Sequence, residues 1–298
     1  MLRTTKLFKE VVSRAPGSVL LSKEQVRLSQ KTLIEMADDI IGVCEEYNIR
    51  YALGGGNALG AIRHKGFIPW DDDLDLNILR DDFDLFWNKV KERFSDRYWF
   101  HNPQEQENHG VPFPQIRKKG TVARSFIDIG DNECGLNIDI CLIENTYNNH
   151  ILRNMHGVTC LGLGLIVSCC RMHKNKKELL TMTDGVPEAA KAVKKKAMIG
   201  SFFSWLSLEK WVNICNRCNC FCKNSSSRFV VVPTGRGHFF GELYERLRWC
   251  STIKVDFNGR KWNITKDYDE YLKTLYGDYM KIPEKKHQEQ HALIEFKL

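Results

Sequence analysis

The chain has 298 residues, 43% of them hydrophobic and 27% charged, which suits one large or two modest globular domains and excludes a largely disordered chain. Its formal net charge of +7 is uneven: residues 151–230 hold 13 Lys/Arg against Glu178, Asp184, Glu188 and Glu209, so that segment is +9 and the rest sums to −2. A basic module on a near-neutral body predicts an anionic partner, with a solvated basic face as the plain alternative.

Charged residues from Arg3 to Arg14 interrupt any apolar run in 1–21, so that stretch reads as a loose leader rather than a secretory signal. The longest apolar run, Val158–Cys170, is about 13 residues, short of the roughly 20 that span a bilayer. With eleven cysteines expected to be mostly reduced, the chain reads as cytoplasmic.

Ser22 followed by Gln25 forms a capping box, and Leu33, Met36, Ala37, Ile40, Ile41, Cys44 and Tyr47 recur at helical spacing, which predicts an amphipathic helix over 23–48. A short strand at Tyr51–Leu53 runs into Gly54-Gly55-Gly56, then a helix over Asn57–Arg63. After Pro69 the period becomes two: Leu74, Leu76 and Ile78 face one way, Asp73, Asp75 and Asn77 the other. Asp81 or Asp82 is expected to cap a second helix carrying Phe83, Phe86, Val90 and Phe94. Residues 98–125 are mixed. A second alternating strand follows, with Leu136, Ile138, Ile140 and Leu142 on one face and Asn137, Asp139 and Cys141 on the other. A basic, Cys-rich stretch then ends at strand-like Phe229–Val232. Asn258-Gly259 predicts a hairpin between Ile253–Phe257 and Lys261–Ile264, and a last helix runs over 267–279 from Asp267.

The chemistry is expected at the acidic run. Alternation puts Asp71, Asp73 and Asp75 on one strand face, about 6–7 Å between next-alternate positions. Like charges so close resist ionising together unless a cation compensates, and Mg²⁺ takes carboxylate and phosphate oxygens while keeping waters. Asp139 completes the set if its strand is a neighbour. A solvated acidic turn is the plainer reading, disfavoured by the strand register. The glycine turn lets backbone approach a phosphate, and Arg63, Lys65 and a second basic cluster, Arg117, Lys118 and Lys119, are candidates to hold phosphate oxygens. Together these parts describe phosphoryl transfer to an acceptor hydroxyl, with Asp71 or Asp139 as the base.

At these residues the sequence resembles the LicD/fukutin family of phosphotransferases. The string GGGNALGAIRHKGFIPWDDDLDL at 54–76 carries the resemblance, with support from CEEYNIRYAL, IRKKGT at 116–121, GLNIDICLIE at 135–144 and YDEYLKTLYGDYMKIPEKKH at 268–287. It covers about 22–144 and 228–291. The resemblance implies an α/β (α+β) nucleotidyltransferase-like mixed sheet flanked by helices, interrupted by a mainly helical insert. The expected organisation is a leader (1–21), catalytic core (22–145), basic insert (146–227) and the remainder of the catalytic domain (228–298). It implies Mg²⁺, or Mn²⁺, on Asp73, Asp75 and Asp139 with Asp71 beside them. Gly55 and Gly56 are then the phosphate turn, and Asn57 and Thr121 join the substrate-binding set. Bacterial members move phosphocholine from CDP-choline to a cell-surface glycan sugar and release CMP; animal members use CDP-ribitol. The implied acceptor is a glycan or its lipid-linked precursor, reached at the inner face of the cell membrane; no nucleic acid partner is expected. Departures are Asn57 for a usual Thr or Ser, Cys141-Leu142 for Phe-Pro, Glu144 for Asp, and a single His291, with His287 nearby, for a late His-His pair. These bear on substrate choice more than on reaction class.

Two features of the insert carry separate expectations. Cys215, Cys218, Cys220 and Cys222 lie within eight residues, a compact cluster for a structural Zn²⁺ unless Cys160, Cys169, Cys170 or a histidine joins it; buried thiols are the simpler reading. Phe202, Phe203, Trp205, Leu206, Leu208, Trp211 and Val212 follow Lys194–Lys196, so 194–212 suits either a membrane interface or a core helix. The competing functions are another CDP-alcohol donor (ribitol, glycerol, ethanolamine) and a catalytically silent binding protein.

Overall fold

The helix that opens the described chain begins as its sequence dictates: the Ser22 hydroxyl accepts from the Gln25 N–H while the Gln25 side chain accepts from the Ser22 N–H. In this computed structural model, residues 19–105, 108–183, 186–284, 288, 290–291 and 293–298 are described. The expected leader lies outside them up to residue 18; Val19 is bridged to Leu293, and Leu21 is buried. His287 also lies outside them.

In chain order the elements are α1 (Lys23–Glu46), β1 (Tyr51–Leu53), α2 (Gly55–His64), β2 (Leu74–Leu79), α3 (Arg80–Phe94), β3 (Tyr98–His101), β4 (Gln115–Lys118), β5 (Val122–Ser125) and β6 (Asn137–Asn145). Four helices follow: α4 (His150–Lys174), α5 (Lys176–Met182), α6 (Pro187–Phe202) and α7 (Leu208–Asn219). The chain closes with β7 (Phe229–Val231), α8 (His238–Gly241), β8 (Leu243–Glu245), α9 (Arg246–Trp249), β9 (Thr252–Phe257), β10 (Arg260–Thr265), α10 (Tyr268–Tyr276) and β11 (Leu293–Lys297).

Seven strands make one mixed sheet in the order β1-β2-β6-β4-β3, with β7 added beside β6 and β8 beside β7. Only β2 and β6 run parallel; the other pairs are antiparallel. The fold is thus α/β with a mixed sheet. Leu74, Leu76, Ile78, Ile138, Ile140 and Leu142 fill one face, packed with α1 and α3 into the main core. Period two then turns Asp75, Asn77, Asp139 and Cys141 to the opposite face. After the four helices the chain re-enters the sheet, because β7 pairs with the end of β6. At that junction the buried Glu144 accepts from Arg80, which also donates to Asn216 on α7. Losing either partner of such a buried ion pair would strand a charge, at a cost of about 3–5 kcal/mol.

Several expectations change. Asp71 to Asp73 precede β2, which begins at Leu74, so they approach the sheet as a loop rather than on its face. Asp81 and Asp82 sit in the first turn of α3, which has no side-chain cap; Asp82 instead binds Arg50 and Asp81 accepts from Asn145. The mixed stretch 98–125 holds three short strands. The Asn258-Gly259 hairpin forms, both residues at positive φ (46° and 80°), as a tight two-residue turn requires. The helix from Asp267 ends at Tyr276, and β11 follows it to pair with β5. Helix α4 is long and apolar enough, by length and composition alone, to cross a membrane. It reaches that length because isolated polar residues interrupt the apolar run without ending the helix. In the fold it is the central helix of the insert, packed on α6 and α7.

Candidate active site at the acidic strand

The parallel pairing of β2 with β6 sets Asp75 directly beside Asp139. Beyond Asp139, the next position on β4 is Gln115, whose Nε2 donates to Asp139 Oδ1 at 2.7 Å. The row continues to His101 on β3. Asp71 and Asp73 come to the same place from the loop, hydrogen-bonded to each other. Burial, with Asp73 next to it, pushes the Asp71 carboxyl well above its ordinary range. Burial also pushes Asp139 up to about 6, against the Gln115 amide that favours its charged form. Cys141, one alternation on from Asp139, is pushed well up by burial and by Asp75 and Asp139. Four carboxylates therefore gather in one place, where burial first and neighbouring charge second favour the protonated forms of Asp71 and Asp139. That oxygen-only donor set fits a hard divalent cation such as Mg²⁺ or Mn²⁺, which would let all of them ionise.

The glycine turn presses onto these groups. The Gly54 N–H donates to the Asp75 carbonyl at 2.9 Å. Gly55 takes φ +39°, and a Cβ there would lie 3.1 Å from Asp75 Oδ2. At Gly56 it would lie 2.8 Å from Asp71 Oδ2. Side chains at either position would push the carboxylates apart, which is why glycine stands there. The Gly55 N–H already donates to Tyr271 Oη at 2.9 Å, so a phosphate reaching that amide must displace the hydroxyl.

The remaining sequence candidates are distributed differently. Asn57, 1% exposed, spends its amide on backbone: Nδ2 donates to the Asp73 carbonyl at 3.0 Å, and Oδ1 accepts the Asp75 N–H at 2.6 Å. It braces the acidic segment rather than facing substrate. Arg117, also 1% exposed, pairs with Asp128 at 2.7 Å and donates to Gln115 Oε1, so it touches Asp139 through Gln115 while its charge still reaches that carboxyl. Lys118 falls on the opposite face of β4, over the Tyr98 ring, because adjacent strand residues alternate. Thr121 is tied to the Lys118 carbonyl and the Leu136 N–H. Lys65 caps the far end of α2, about 15 Å from the glycines by helix rise, and its charge acts on Asp256 of the hairpin. Arg63 clasps the Tyr279 carbonyl at 2.8 Å, though its charge still reaches Asp71.

Other residues stand at the site without having been chosen. His291 bridges Asp72 (2.8 Å) and Asp73 (3.5 Å); the sequence named it only as the survivor of a His-His pair. Tyr276 lies among Asp75, Asp71 and Asp73, with the Arg236 guanidinium 5.1 Å from its ring centre. Glu242, 2% exposed, accepts the Gly237 N–H at 2.7 Å, and burial pushes it up to about 7. The Gly235-Arg236-Gly237 turn after β7 repeats the strand-then-glycine pattern of 51–56, and that signal was available.

In the insert, the aromatic stretch after the lysines divides. Leu208, Trp211 and Val212 are buried, and Lys196 is buried with its ammonium on Ser168 Oγ. Met198, Phe202 and Trp205 are 61%, 75% and 71% exposed. Lys191, Lys194 and Lys195, on the same face one or two turns earlier, are exposed as well.

Residues 48–130 match the family model described as the LicD/FKTN/FKRP nucleotidyltransferase domain. The chain is 27% identical over 286 residues to the lipopolysaccharide cholinephosphotransferase LicD of Haemophilus influenzae, covering 92% of this chain and 98% of that protein. It is 39% identical over 79 residues to the human ribitol 5-phosphate transferase FKRP, covering 26% of this chain and 16% of that protein. The mouse FKRP is 48% identical over 52 residues, 17% of this chain and 10% of its own length. The match to LicD runs nearly end to end, insert included, whereas the FKRP matches are confined to short segments. The glycine turn and acidic strand lie inside the matched domain, so residues 48–130 are a LicD-type nucleotidyltransferase domain, and the nearly full-length similarity to LicD supports assigning the chain to that family.

Proposed function

We propose that this protein transfers a phospho-alcohol from a CDP-linked donor to a hydroxyl of a glycan or its lipid-linked precursor, releasing CMP, and that the head group is phosphocholine. The observation that carries the reading is the gathering of Asp71, Asp73, Asp75 and Asp139 against the glycine turn. The near full-length similarity to a protein named as a cholinephosphotransferase supports the choice of head group. Asp73, Asp75 and Asp139 would hold Mg²⁺ or Mn²⁺, which supplies charge neutralisation on the diphosphate. Arg236, stacked on Tyr276, takes the phosphate-clamp role in place of the buried Arg117.

The acceptor hydroxyl oxygen attacks the phosphorus that carries the alcohol. The bond from that phosphorus to the CMP oxygen breaks, and the proton passes to a carboxylate. Of the two candidates for the base, Asp139 is held by Gln115 and Asn137. We assign the proton to Asp71.

The exposed Met198, Phe202 and Trp205, continuous with Lys191, Lys194 and Lys195, suit a helix end resting in an anionic bilayer surface, apolar groups inserted and ammonium groups at the phosphates. We propose peripheral contact there, at the inner face of the cell membrane. Trp205→Ser with Phe202→Ser should abolish sedimentation with anionic vesicles and leave the fold intact; undiminished sedimentation removes the contact.

The test of the reaction is CMP release from CDP-choline, CDP-ribitol, CDP-glycerol and CDP-ethanolamine, with acceptor glycan present. Release from CDP-choline above the others supports the proposal. Release from another donor alone reassigns the head group, and neither release nor binding of any donor favours a silent binding protein.

A further inference from the structure

The four cysteines at 215–222 do not converge. Cys215 packs with Val167, Trp211 and Val212, and Cys220 lies against Lys223 and the Arg217 carbonyl. Cys218 turns towards α4 instead, where its sulfur is 3.7 Å from that of Cys160. His156, one helical turn before Cys160 on the same face, closes the group: its Nε2 donates to the Cys218 carbonyl at 2.8 Å. One ligand atom from each of the three lies within 4.8 Å of the other two.

The sulfur separation is informative. A disulfide needs about 2.05 Å. Two thiolates on a tetrahedral zinc, each at about 2.3 Å, stand about 3.8 Å apart, which is the spacing found here. The surroundings are apolar: Cys160 and Cys218 pack with Val231, Phe239 and Leu243, and the Phe239 ring stands edge-on to His156. Either sulfur can donate to the other across that gap. The imidazole is oriented by its Nε2 bond to a backbone carbonyl, which leaves Nδ1, now 3.3 Å from the Thr146 hydroxyl, as the atom that would take the ion in that hydroxyl's place.

We propose that His156, Cys160 and Cys218 bind a Zn²⁺ ion through the three ligand atoms that already lie within 4.8 Å of one another. The ion pins α4 to the end of α7 beside β7 and α8, where the insert joins the sheet. The proposal does not depend on the reaction proposed above.

The experiment is metal analysis of the full chain, purified without an affinity histidine tag under reducing conditions and dialysed against zinc-free buffer, before and after reconstitution with Zn²⁺. The expected result is about one equivalent of zinc, lost in the Cys160→Ser, Cys218→Ser double variant. Substitution with Co²⁺ should give thiolate-to-cobalt absorption that is lost in the same double variant. Less than a tenth of an equivalent after reconstitution overturns the site, as does a full equivalent retained by the double variant. A metal-free wild type with Cys160 and Cys218 joined in a disulfide also overturns it. If the double variant fails to fold, the zinc content and cobalt spectrum of the wild type decide the question alone.

Discussion

The sheet and the helical insert place their functional groups by different rules. On the sheet, strand alternation and register place the strand-borne groups: Asp75 faces Asp139 because β2 and β6 run parallel in that register, and one residue of slip in β2 would turn Asp75 into the core. In the insert, residues adjacent in sequence part company. Trp205 is exposed while Trp211 is core, and Cys218 leaves its neighbouring thiols to meet α4. Local spacing is a strong guide where the backbone repeats every two residues and the partner strand is fixed. It is a weak one where tertiary packing chooses which side of a helix is covered.

The largest expected effect tests the sheet side. Asp75→Asn should reduce turnover roughly a thousandfold, since several kcal/mol of charge stabilisation rest on such a metal ligand, with the melting temperature little changed. Turnover within tenfold of wild type would remove Asp75 from the site. Trp211→Ala tests the insert. Truncating a buried tryptophan should cost about 3–5 kcal/mol in a denaturant titration, whereas Trp205→Ala should cost under about 0.5. Equal losses would erase the division between the two aromatics.

A smaller effect probes the support behind the carboxylates. Gln115→Ala takes the amide from Asp139 and leaves Arg117 short of an acceptor, so Mg²⁺ affinity should fall about 10- to 100-fold. Unaltered affinity would make Gln115 a bystander. The smallest is pH-dependent. Glu242 is raised to about 7 from an ordinary value of 4.5, so folding favours its protonated form. The stability this gives is complete below about pH 4.5 and is lost as pH rises through about 7. Glu242→Gln should therefore melt higher than wild type at pH 8 and equally at pH 4.5, as read by calorimetry at both; an offset independent of pH would contradict it.

Much of the sheet side was legible. The 22–25 capping box, the period-two strands and the Asn-Gly hairpin are local signals, and each appears where its chemistry requires. The short strands at 98–125 were not legible, because four residues between prolines hold too little pattern to separate strand from loop. Site residues divided along the same line. Asp75 and Asp139 follow from alternation, whereas Asp71 and Asp73 arrive from the loop before β2, and Lys118 stands on the opposite face of β4. Nothing local announced that Asp128 would bury Arg117. His291, Tyr276, Arg236 and Glu242 reach the site from 97 or more residues beyond Asp139, through packing that no local window contains.

The central claim is that the row from Asp75 to Asp139 holds the catalytic metal. The most direct measurement is a crystal of the full chain soaked with Mn²⁺ and CMP, read by anomalous scattering. The account predicts a Mn²⁺ peak ligated by carboxylate oxygens of Asp75 and Asp139, with CMP phosphate beside the glycine turn. A well-occupied nucleotide with no metal in that row, or with metal bound only elsewhere, would contradict it.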